Sequence, residues 1–268
     1  MLTKRNESKP RRPTIVTVPC FSGAPWDLEG LTALSDLPLR TMRLPEGLDD
    51  VEDYADFVER QVSDLDCYVL VGDSFGAVVS LALAVRRPPG CRALVMSGGF
   101  AASPVRSRLL RARIKAARFL PGPLYRAITL RLHAASLASP YDIDGQVPWT
   151  KKKSRRLFAE NTPYRSYVAR AKAALKVDLR DRLDQVAVPT LIITPEHDTL
   201  IGEQAAGEML EGIPDATEVV LERTGHMLRY SHPDTYARTV RDFLVGRFRD
   251  SDLELGGLCR RPAVGENR

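Results

Sequence analysis

The sequence predicts an α/β protein: a mostly parallel sheet of about six strands flanked by helices, with a helical segment inserted into it. Along most of the chain, short apolar runs alternate with longer amphipathic stretches, as expected for βαβ units that form a parallel sheet. Between Ala101 and Leu183 this alternation stops, and proline-interrupted helical patterns take its place. The 268 residues are enough for one large domain with an inserted subdomain.

Strands and helices are predicted on both sides of the insert. Before it, short apolar runs at 14–18, 37–44, 67–71 and 92–96 predict strands, and helical apolar spacing predicts helices at 51–62 and 77–85. After it, the pattern resumes with strands at 189–194 and 217–221 and helices at 203–210 and 233–248. The third strand leads directly into a glycine-rich turn and then into a helix, so this junction is the first place to look for a site.

The insert is strongly basic. Its predicted helices lie at 105–120, 124–137, 151–160 and 164–175. From Pro104 to Lys176 there are 17 lysines and arginines against three acids, whereas the remainder of the chain has 22 bases and 31 acids. This separation of charge predicts either a surface that attracts anionic partners or arginine-rich helices whose outer faces are simply solvated.

Other features of the composition exclude several classes of protein. The first thirteen residues are polar and basic, unlike a secretory signal, and no later apolar run reaches membrane-spanning length. The four cysteines (Cys20, Cys67, Cys91 and Cys259) are too scattered for a disulfide framework, and no two have metal-ligand spacing. No nucleic-acid-binding module accompanies the basic surface. We therefore expect a cytoplasmic protein with no metal, cofactor, nucleic-acid partner or integral membrane association.

Ser74 is the candidate nucleophile. It is the centre of Gly72-Asp73-Ser74-Phe75-Gly76, which lies between the buried-looking run Tyr68-Val69-Leu70-Val71 and an apolar helix. Glycines two residues either side allow the backbone to pack closely, so the serine hydroxyl is held above the sheet at the start of the helix. Asp73, although adjacent, is expected to point elsewhere because consecutive residues of a turn diverge.

A serine nucleophile needs a base, and the sequence offers four histidines. His226 follows the last predicted strand in Thr224-Gly225-His226-Met227, which places it after the candidate acid, in the order expected for a strand–serine–helix turn of this type. His232 precedes a proline at the start of the final helix, His133 lies in the insert, and His197 adjoins the candidate acid. His226 is therefore the predicted base.

The base requires an acid that orients its ring and stabilises the imidazolium. Asp198 follows the strand at 189–194, at the sheet edge where parallel α/β proteins place their sites. Glu196 is a nearby rival. The oxyanion formed during attack needs two N–H donors; we expect one from the backbone of Phe75 and the other from the loop after the first strand, from Phe21 or, alternatively, Ser22.

These residues together resemble the α/β-hydrolase superfamily, in particular its small esterases, thioesterases and C–C hydrolases with a helical cap. The resemblance covers residues 14–245 and rests on the turn around Ser74, on 188–193 leading to Asp198, and on Gly225-His226 leading to the final helix. Two features depart from many relatives: only a short polar segment precedes the first strand, and Pro19-Cys20 stands where His-Gly is frequent.

The resemblance implies an α/β-hydrolase fold and divides the chain into parts. Residues 14–100 and 184–249 would form the core, residues 101–183 a basic helical cap over the active site, and residues 1–13 and 250–268 polar tails. Large apolar cap residues are candidates to contact a substrate, although each could equally pack inside the cap. They are Phe119, Leu120, Leu124, Leu137, Trp149, Phe158 and Tyr164.

The predicted function is a serine hydrolase that cleaves small-molecule carboxylic esters through an acyl-enzyme intermediate. One alternative is an esterase or thioesterase acting on acyl chains borne by an acidic carrier protein, which would dock on the arginine-rich stretch of the cap. That stretch contains Arg106, Arg108, Arg111, Arg113, Lys115 and Arg118. A second alternative is a ligand receptor with this fold and slow turnover. Epoxide hydrolases and dehalogenases are disfavoured because those relatives use aspartate where Ser74 stands.

Overall fold

Six parallel strands form the centre of the protein in the computed structural model, which describes residues 12–27, 31–117, 119–120, 122–137, 149–202 and 204–248. The strands are β1 (Thr14–Val18), β2 (Leu39–Thr41), β3 (Tyr68–Asp73), β4 (Cys91–Ser97), β5 (Thr190–Pro195) and β6 (Ala216–Leu221). Their order in the sheet is β2-β1-β3-β4-β5-β6, and every neighbouring pair is parallel. All six strands therefore end at the same edge of the sheet.

Nine α-helices lie in the described part of the chain. They are α1 (Val51–Val62), α2 (Phe75–Ala84), α3 (Arg108–Ala117), α4 (Gly122–Ser136), α5 (Lys151–Asn161), α6 (Tyr164–Lys176), α7 (Gln204–Gly212), α8 (Leu228–Ser231) and α9 (Pro233–Phe248). Short 3₁₀ helices occupy Thr32–Leu34 and Arg180–Gln185. The α/β-hydrolase fold with a six-stranded sheet is confirmed.

The sheet is buried on both faces, which explains why its central strands are apolar throughout. All six residues of β3 are buried, and along it Leu70 packs in one core cluster whereas Val69 and Val71 pack in the other. A parallel sheet covered by helices on both sides needs such continuous apolar runs. Helix α2 is buried along its whole length and belongs to the first cluster.

Most predicted bounds agree with the structure to within a few residues, and the largest differences have a local cause. The strand predicted at 37–44 is shorter, because only Leu39–Thr41 pairs with β1. The helix predicted at 77–85 begins two residues earlier, at Phe75, directly after Ser74. Helix α8 and the two 3₁₀ helices were not predicted, because segments of three to six residues are too short to show a periodicity.

Between β4 and β5 the four helices α3 to α6 occupy the segment predicted to be helical. A third apolar cluster of Leu137, Trp149, Phe158, Tyr167 and Met227 joins this segment to the chain just after His226. The indole N–H of Trp149 donates to Ser154 Oγ at 2.6 Å, so its polar atom is satisfied inside the cluster. The predicted tails at 1–13 and 250–268 lie almost entirely outside the described residues.

Two further expectations concern membranes and cysteines. Among the residues that the structure describes, no helix has the length and apolar character needed to cross a membrane. Cys20 and Cys91 are buried free thiols. Cys259 lies outside the described residues.

Candidate active site

Ser74 lies on a tight turn between β3 and α2. Its backbone has φ of 55°, a conformation that residues other than glycine rarely adopt, and its N–H donates to Ser97 O at 2.8 Å. A Cβ on Gly72 would lie 2.5 Å from Gly76 O, and a Cβ on Gly76 would collide with Val18 O at the end of β1. Both glycines are therefore required by close backbone contacts, as the sequence predicted.

His226 connects Ser74 to Asp198. Its Nε2 lies 2.8 Å from Ser74 Oγ, and its Nδ1 lies 2.7 Å from Asp198 Oδ2. The other carboxylate oxygen, Oδ1, accepts hydrogen bonds from the N–H groups of Leu200 and Ile201 at 2.9 and 3.0 Å. The three predicted residues follow β3, β5 and β6, and the structure brings them into one chain of hydrogen bonds, the Ser–His–Asp chain.

The pKa values of His226 and Asp198 are shifted in opposite directions by their contact and their burial. Burial lowers the pKa of His226, but the charge and hydrogen bond of Asp198 more than offset this, so the pKa lies above its usual value. For Asp198, burial raises the pKa, but the charge and hydrogen bond of His226 lower it by more, so the pKa lies below its usual value. Asp198 therefore stays ionised near neutral pH and stabilises a proton on His226.

Each rival residue has another partner. Glu196 accepts from the N–H of Arg223 and lies 3.4 Å from His197, at the surface. His232 Nδ1 lies 2.7 Å from Ser231 Oγ, at the start of α9. Asp73 turns away from Ser74, as expected, and accepts from Arg229. Of the predicted and rival residues, Asp198 and His226 are the two that the structure places in one hydrogen-bonded chain with Ser74.

The loop after β1 places Phe21 beside Phe75. Cys20 O accepts from the N–H of Gly23 at 2.8 Å, which closes a turn over Phe21 and Ser22. Because the N–H of a trans peptide points opposite to its C=O, this bond directs the Phe21 N–H away from the turn. The rings of Phe21 and Phe75 are 5.9 Å apart, edge to face. Phe75 is the first residue of α2, where backbone N–H groups have no partner within the helix.

A buried arginine from α6 holds this loop. Arg170 is 1% exposed, and its guanidinium donates to Phe21 O at 2.9 Å and to the carbonyl oxygens of Leu44 and Pro45 at 3.3 Å. Burial lowers its pKa. Sequence reasoning missed this contact, since nothing local to Arg170 distinguishes it from the other arginines of the basic insert.

A second buried arginine lies behind the turn. Arg229 Nε donates to Asp73 Oδ2 at 3.0 Å, and both side chains are 5% exposed or less. The guanidinium carbon lies 4.1 Å from the ring centre of Trp26 and 3.9 Å from that of Tyr230. Because Asp73 precedes Ser74 and Arg229 lies three residues after His226, the ion pair ties together the two segments that the Ser–His–Asp chain connects. This pair was also not predicted.

Aromatic residues surround Phe21 on the side of the insert. Its ring lies 5.3 Å from His133, 5.0 Å from Tyr167 and 6.3 Å from Phe158. Tyr167 OH and His133 Nδ1 are 2.8 Å apart. Burial, together with the charge of His226, lowers the pKa of His133 to about 3, so this ring is neutral at physiological pH.

The seven apolar residues named as candidates for substrate contact have different surroundings. Leu137, Trp149 and Phe158 are in the third apolar cluster, whereas Phe119 and Leu124 are 76% and 48% exposed. Within the described residues, no group of three or more histidine, cysteine and acidic side chains could hold a metal ion.

Comparison with known proteins identifies the family. A model of the alpha/beta hydrolase family matches residues 9–239, most of the chain. The chain belongs to the alpha/beta hydrolase family. The matched span includes Ser74, Asp198 and His226 together with the whole α3–α6 segment.

The names of relatives of this α/β hydrolase describe different substrates. A Klebsiella pneumoniae subsp. pneumoniae protein, RutD, to which its name ascribes carbamate hydrolysis, is 28% identical over 203 residues, 70% of each chain. A 2-hydroxy-6-oxononadienedioate/2-hydroxy-6-oxononatrienedioate hydrolase of Dechloromonas aromatica is 27% identical over 188 residues, 68% of this chain and 63% of that protein. A hydrolase from Pseudomonas aeruginosa PA01 has the same fold, with a TM-score of 0.72 at 18% identity over 87% of this chain and 90% of that one.

Replacing Gly23 tests the contact with Arg170. Gly23 has φ of 72°, and a Cβ there would lie 2.5 Å from Arg170 Nη1 and still closer to Nη2. Gly23→Ala should lower the free energy of unfolding by about 1–2 kcal/mol for the backbone conformation and by about 1–3 kcal/mol more for displacing the buried guanidinium. Urea unfolding measures the change.

Gly47→Ala is the matched control. Gly47 has φ of 79°, but nothing lies within 4 Å of an added Cβ. Only the backbone cost should therefore appear. Equal losses of stability in the two variants would contradict a steric role for Arg170.

The α/β hydrolase should also depend on the ion pair behind the turn. Asp73→Asn leaves Arg229 buried without a counter-charge, which typically costs about 3–5 kcal/mol of unfolding free energy. Glu160→Gln removes the carboxylate of an exposed ion pair with Arg156 and should cost at most about 0.5 kcal/mol. Thermal and urea unfolding of both variants distinguishes the two cases, and a loss below 1 kcal/mol for Asp73→Asn would refute the assigned role.

Proposed function

We propose that this α/β hydrolase is a serine hydrolase that cleaves carboxylic esters of small molecules through an acyl-enzyme intermediate. The observation that carries the proposal is the Ser–His–Asp chain, in which His226 lies within hydrogen-bond distance of both Ser74 Oγ and Asp198 Oδ2. A serine hydroxyl is a weak nucleophile until a neighbouring base accepts its proton, and His226 is oriented to do so by Asp198.

In the proposed first step, Ser74 Oγ attacks the ester carbonyl carbon while its proton passes to His226 Nε2. The carbonyl π bond opens and its oxygen becomes an oxyanion, which accepts hydrogen bonds from the backbone N–H groups of Phe75 and Phe21. Two features support this pair of donors: Phe75 begins a helix, and the turn closed by Cys20 O directs the Phe21 N–H outward. Asp198 stabilises the imidazolium that results.

In the second step the tetrahedral intermediate collapses. The bond to the alkoxide breaks, and His226 returns its proton to the leaving oxygen, so that an alcohol departs and the acyl group remains on Ser74. Water then attacks the acyl carbon while His226 takes its proton, and the same donors hold the second oxyanion. As this intermediate collapses, the bond to Ser74 Oγ breaks, His226 returns the proton to that oxygen, and the carboxylic acid departs. Proton transfer from the nucleophile and to the leaving group thus uses one nitrogen, His226 Nε2, which points at Ser74 in the structure.

The structure lends the carrier-protein alternative no support. Arg106, part of the proposed docking stretch, donates to Glu208 at 2.6 Å, and Arg111 donates to the carbonyl oxygens of Val105 and Leu175. These two side chains therefore have partners within the chain, whereas Arg108, Arg113 and Lys115 are exposed and Arg118 lies outside the described residues. A small molecule is the simpler substrate, and one relative is named for hydrolysis of small molecules, 2-hydroxy-6-oxononadienedioate and 2-hydroxy-6-oxononatrienedioate.

Replacement of the nucleophile is the first test. Ser74→Ala should lower kcat for p-nitrophenyl esters by about 10⁴-fold or more, since removal of a serine nucleophile in this type of site leaves only binding and oxyanion stabilisation. Ser80→Ala, which removes a buried hydroxyl from the same helix, should keep most of the activity. The assay is steady-state hydrolysis of esters from acetate to palmitate.

Pre-steady-state kinetics of the unmodified protein separate an enzyme from a receptor. An enzyme releases p-nitrophenol continuously, whereas a receptor acylates once and stalls. Activity of Ser74→Ala close to that of the unmodified protein would contradict the proposal.

The pH profile tests the pairing of His226 with Asp198. His226 acts as base in its neutral form, so kcat/KM should rise with pH as this group loses its proton. Asp198 raises the pKa of His226, and Asp198→Asn removes that effect. The acid limb of the profile should therefore move to lower pH while kcat falls by about 10⁴-fold.

Glu196→Gln is the control for this experiment. It removes a neighbouring carboxylate that contacts Arg223 and His197 instead of His226. Its acid limb should stay at the original pH. An unchanged limb in Asp198→Asn would show that Asp198 does not set the pKa of the base.

A further inference from the structure

Large apolar side chains are exposed together on α3, on α4 and between them. Leu109 is 62% exposed, Phe119 76%, Leu124 48%, Ile128 41% and Leu132 68%. In the rest of the described chain, just one other large apolar side chain, Val220 on β6, is comparably open, at 50%. Single exposed apolar residues are ordinary, but three of these five, Leu124, Ile128 and Leu132, lie on the single helix α4.

Helix α4 carries apolar residues on two opposite faces. Leu124, Ile128 and Leu132 are four residues apart, so they form one stripe along the exposed side. On the other side, His133 contacts Phe21 and Ala134 is buried. Helix α4 is thus apolar on two sides, and an apolar helix face is expected to be covered. In this structure the inner face packs on the protein, and the outer face needs a second partner.

The surroundings of the stripe are cationic. Residues 104–136 contain eight lysines and arginines and no acid. Arg108, Arg113, Lys115 and Arg131 are exposed; Arg106 is also exposed but pairs with Glu208, and Arg111 donates to backbone carbonyls. Along α4, Arg131 is adjacent in sequence to the most exposed leucine of the stripe, Leu132. The partner must therefore combine an apolar interior with an anionic surface.

We propose that this outer face is the docking surface for an anionic lipid membrane. The outer face is defined by the five exposed apolar residues with Arg108, Arg113, Lys115 and Arg131. Its apolar side chains would enter the boundary between headgroups and acyl chains, and its cations would lie among the lipid phosphates. A second copy of the chain would bring the same four exposed cations against four others. An acidic protein would meet the charge without offering a continuous apolar medium to protruding leucines.

The same helix connects this face to the candidate site. The inner side of α4 contributes His133, whose ring lies 5.3 Å from that of Phe21 in the loop beside Ser74. Docking would therefore hold the site one helix thickness from the lipid. That amphiphilic esters are the substrates rests on the proposed function, whereas membrane binding itself does not, so the experiment uses protein carrying Ser74→Ala, which cannot turn over lipid through Ser74.

The experiment is co-sedimentation with unilamellar vesicles at low and high salt. The protein should bind vesicles of phosphatidylglycerol and phosphatidylcholine at least tenfold more strongly than vesicles of phosphatidylcholine alone, and 0.5 M salt should weaken the binding because the cations are exposed. Leu124→Ser, Ile128→Ser and Leu132→Ser combined should reduce the partition coefficient at least tenfold. Arg131→Gln should reduce it several-fold for the anionic vesicles.

Two matched controls change residues outside the α3–α6 segment. Val220→Ser changes an equally exposed apolar residue on β6, and Arg60→Gln removes an exposed charge from α1; both should bind as the parent does. Circular dichroism and melting temperature verify that each variant is folded.

Three results would overturn the proposal. They are no binding to the anionic vesicles, binding that the triple serine variant retains, and self-association that the triple variant abolishes in a protein that ignores vesicles. Failure of ester hydrolysis would leave these results unchanged, so the membrane proposal and the proposed function fail separately.

Discussion

The tight turn at Ser74 is the constraint on which the rest of the site depends. A residue other than glycine holds φ of 55° there, between a buried strand and a buried helix. Such a conformation costs about 1–3 kcal/mol and persists only where the surroundings determine it. The surroundings here are the close approach of Gly76 to the end of β1 and the hydrogen bond from the Ser74 N–H to Ser97 O. Because α2 starts directly after Ser74, the first backbone N–H groups of the helix lie near the serine hydroxyl.

Two buried arginines extend this constraint to the loops. Arg170 anchors the turn that contains Phe21, and Arg229 anchors Asp73 beside Ser74. Burying a guanidinium is costly, and one nitrogen of each side chain, Arg170 Nε and Arg229 Nη2, has no hydrogen-bond partner in the described structure. Such contacts add little net stability to a fold. Breaking one is nevertheless costly, because it leaves a buried charge or dipole without its partner, so the loops are held in this arrangement. Both arginines come from outside the segments that they hold, so the insert and the segment after His226 help to shape the site.

Helix α4 has two roles because it is apolar on both sides. Its inner side meets Phe21 through His133, next to Tyr167, and its outer side is an exposed row of leucine and isoleucine among cations. The strong basic character of the insert is thereby divided: some arginines satisfy backbone carbonyls or Glu208, and others remain at the surface beside apolar residues. The basic residues of the insert therefore do not act as one group: some are partnered within the chain, and others belong to the proposed docking surface.

The sequence by itself determined the sheet and the order of its elements, and it predicted Ser74, Asp198 and His226 as the site residues. These follow from local patterns: apolar runs for buried parallel strands, glycines around one serine, and polar residues at the ends of later strands. Only the tertiary structure decided the contacts of Arg170 with Phe21 and of Arg229 with Asp73, which join residues 149 and 156 positions apart and leave no local pattern. It also decided that Leu124 and Ile128 face outward, because α4 is apolar on two sides and its pattern does not say which side the core will cover.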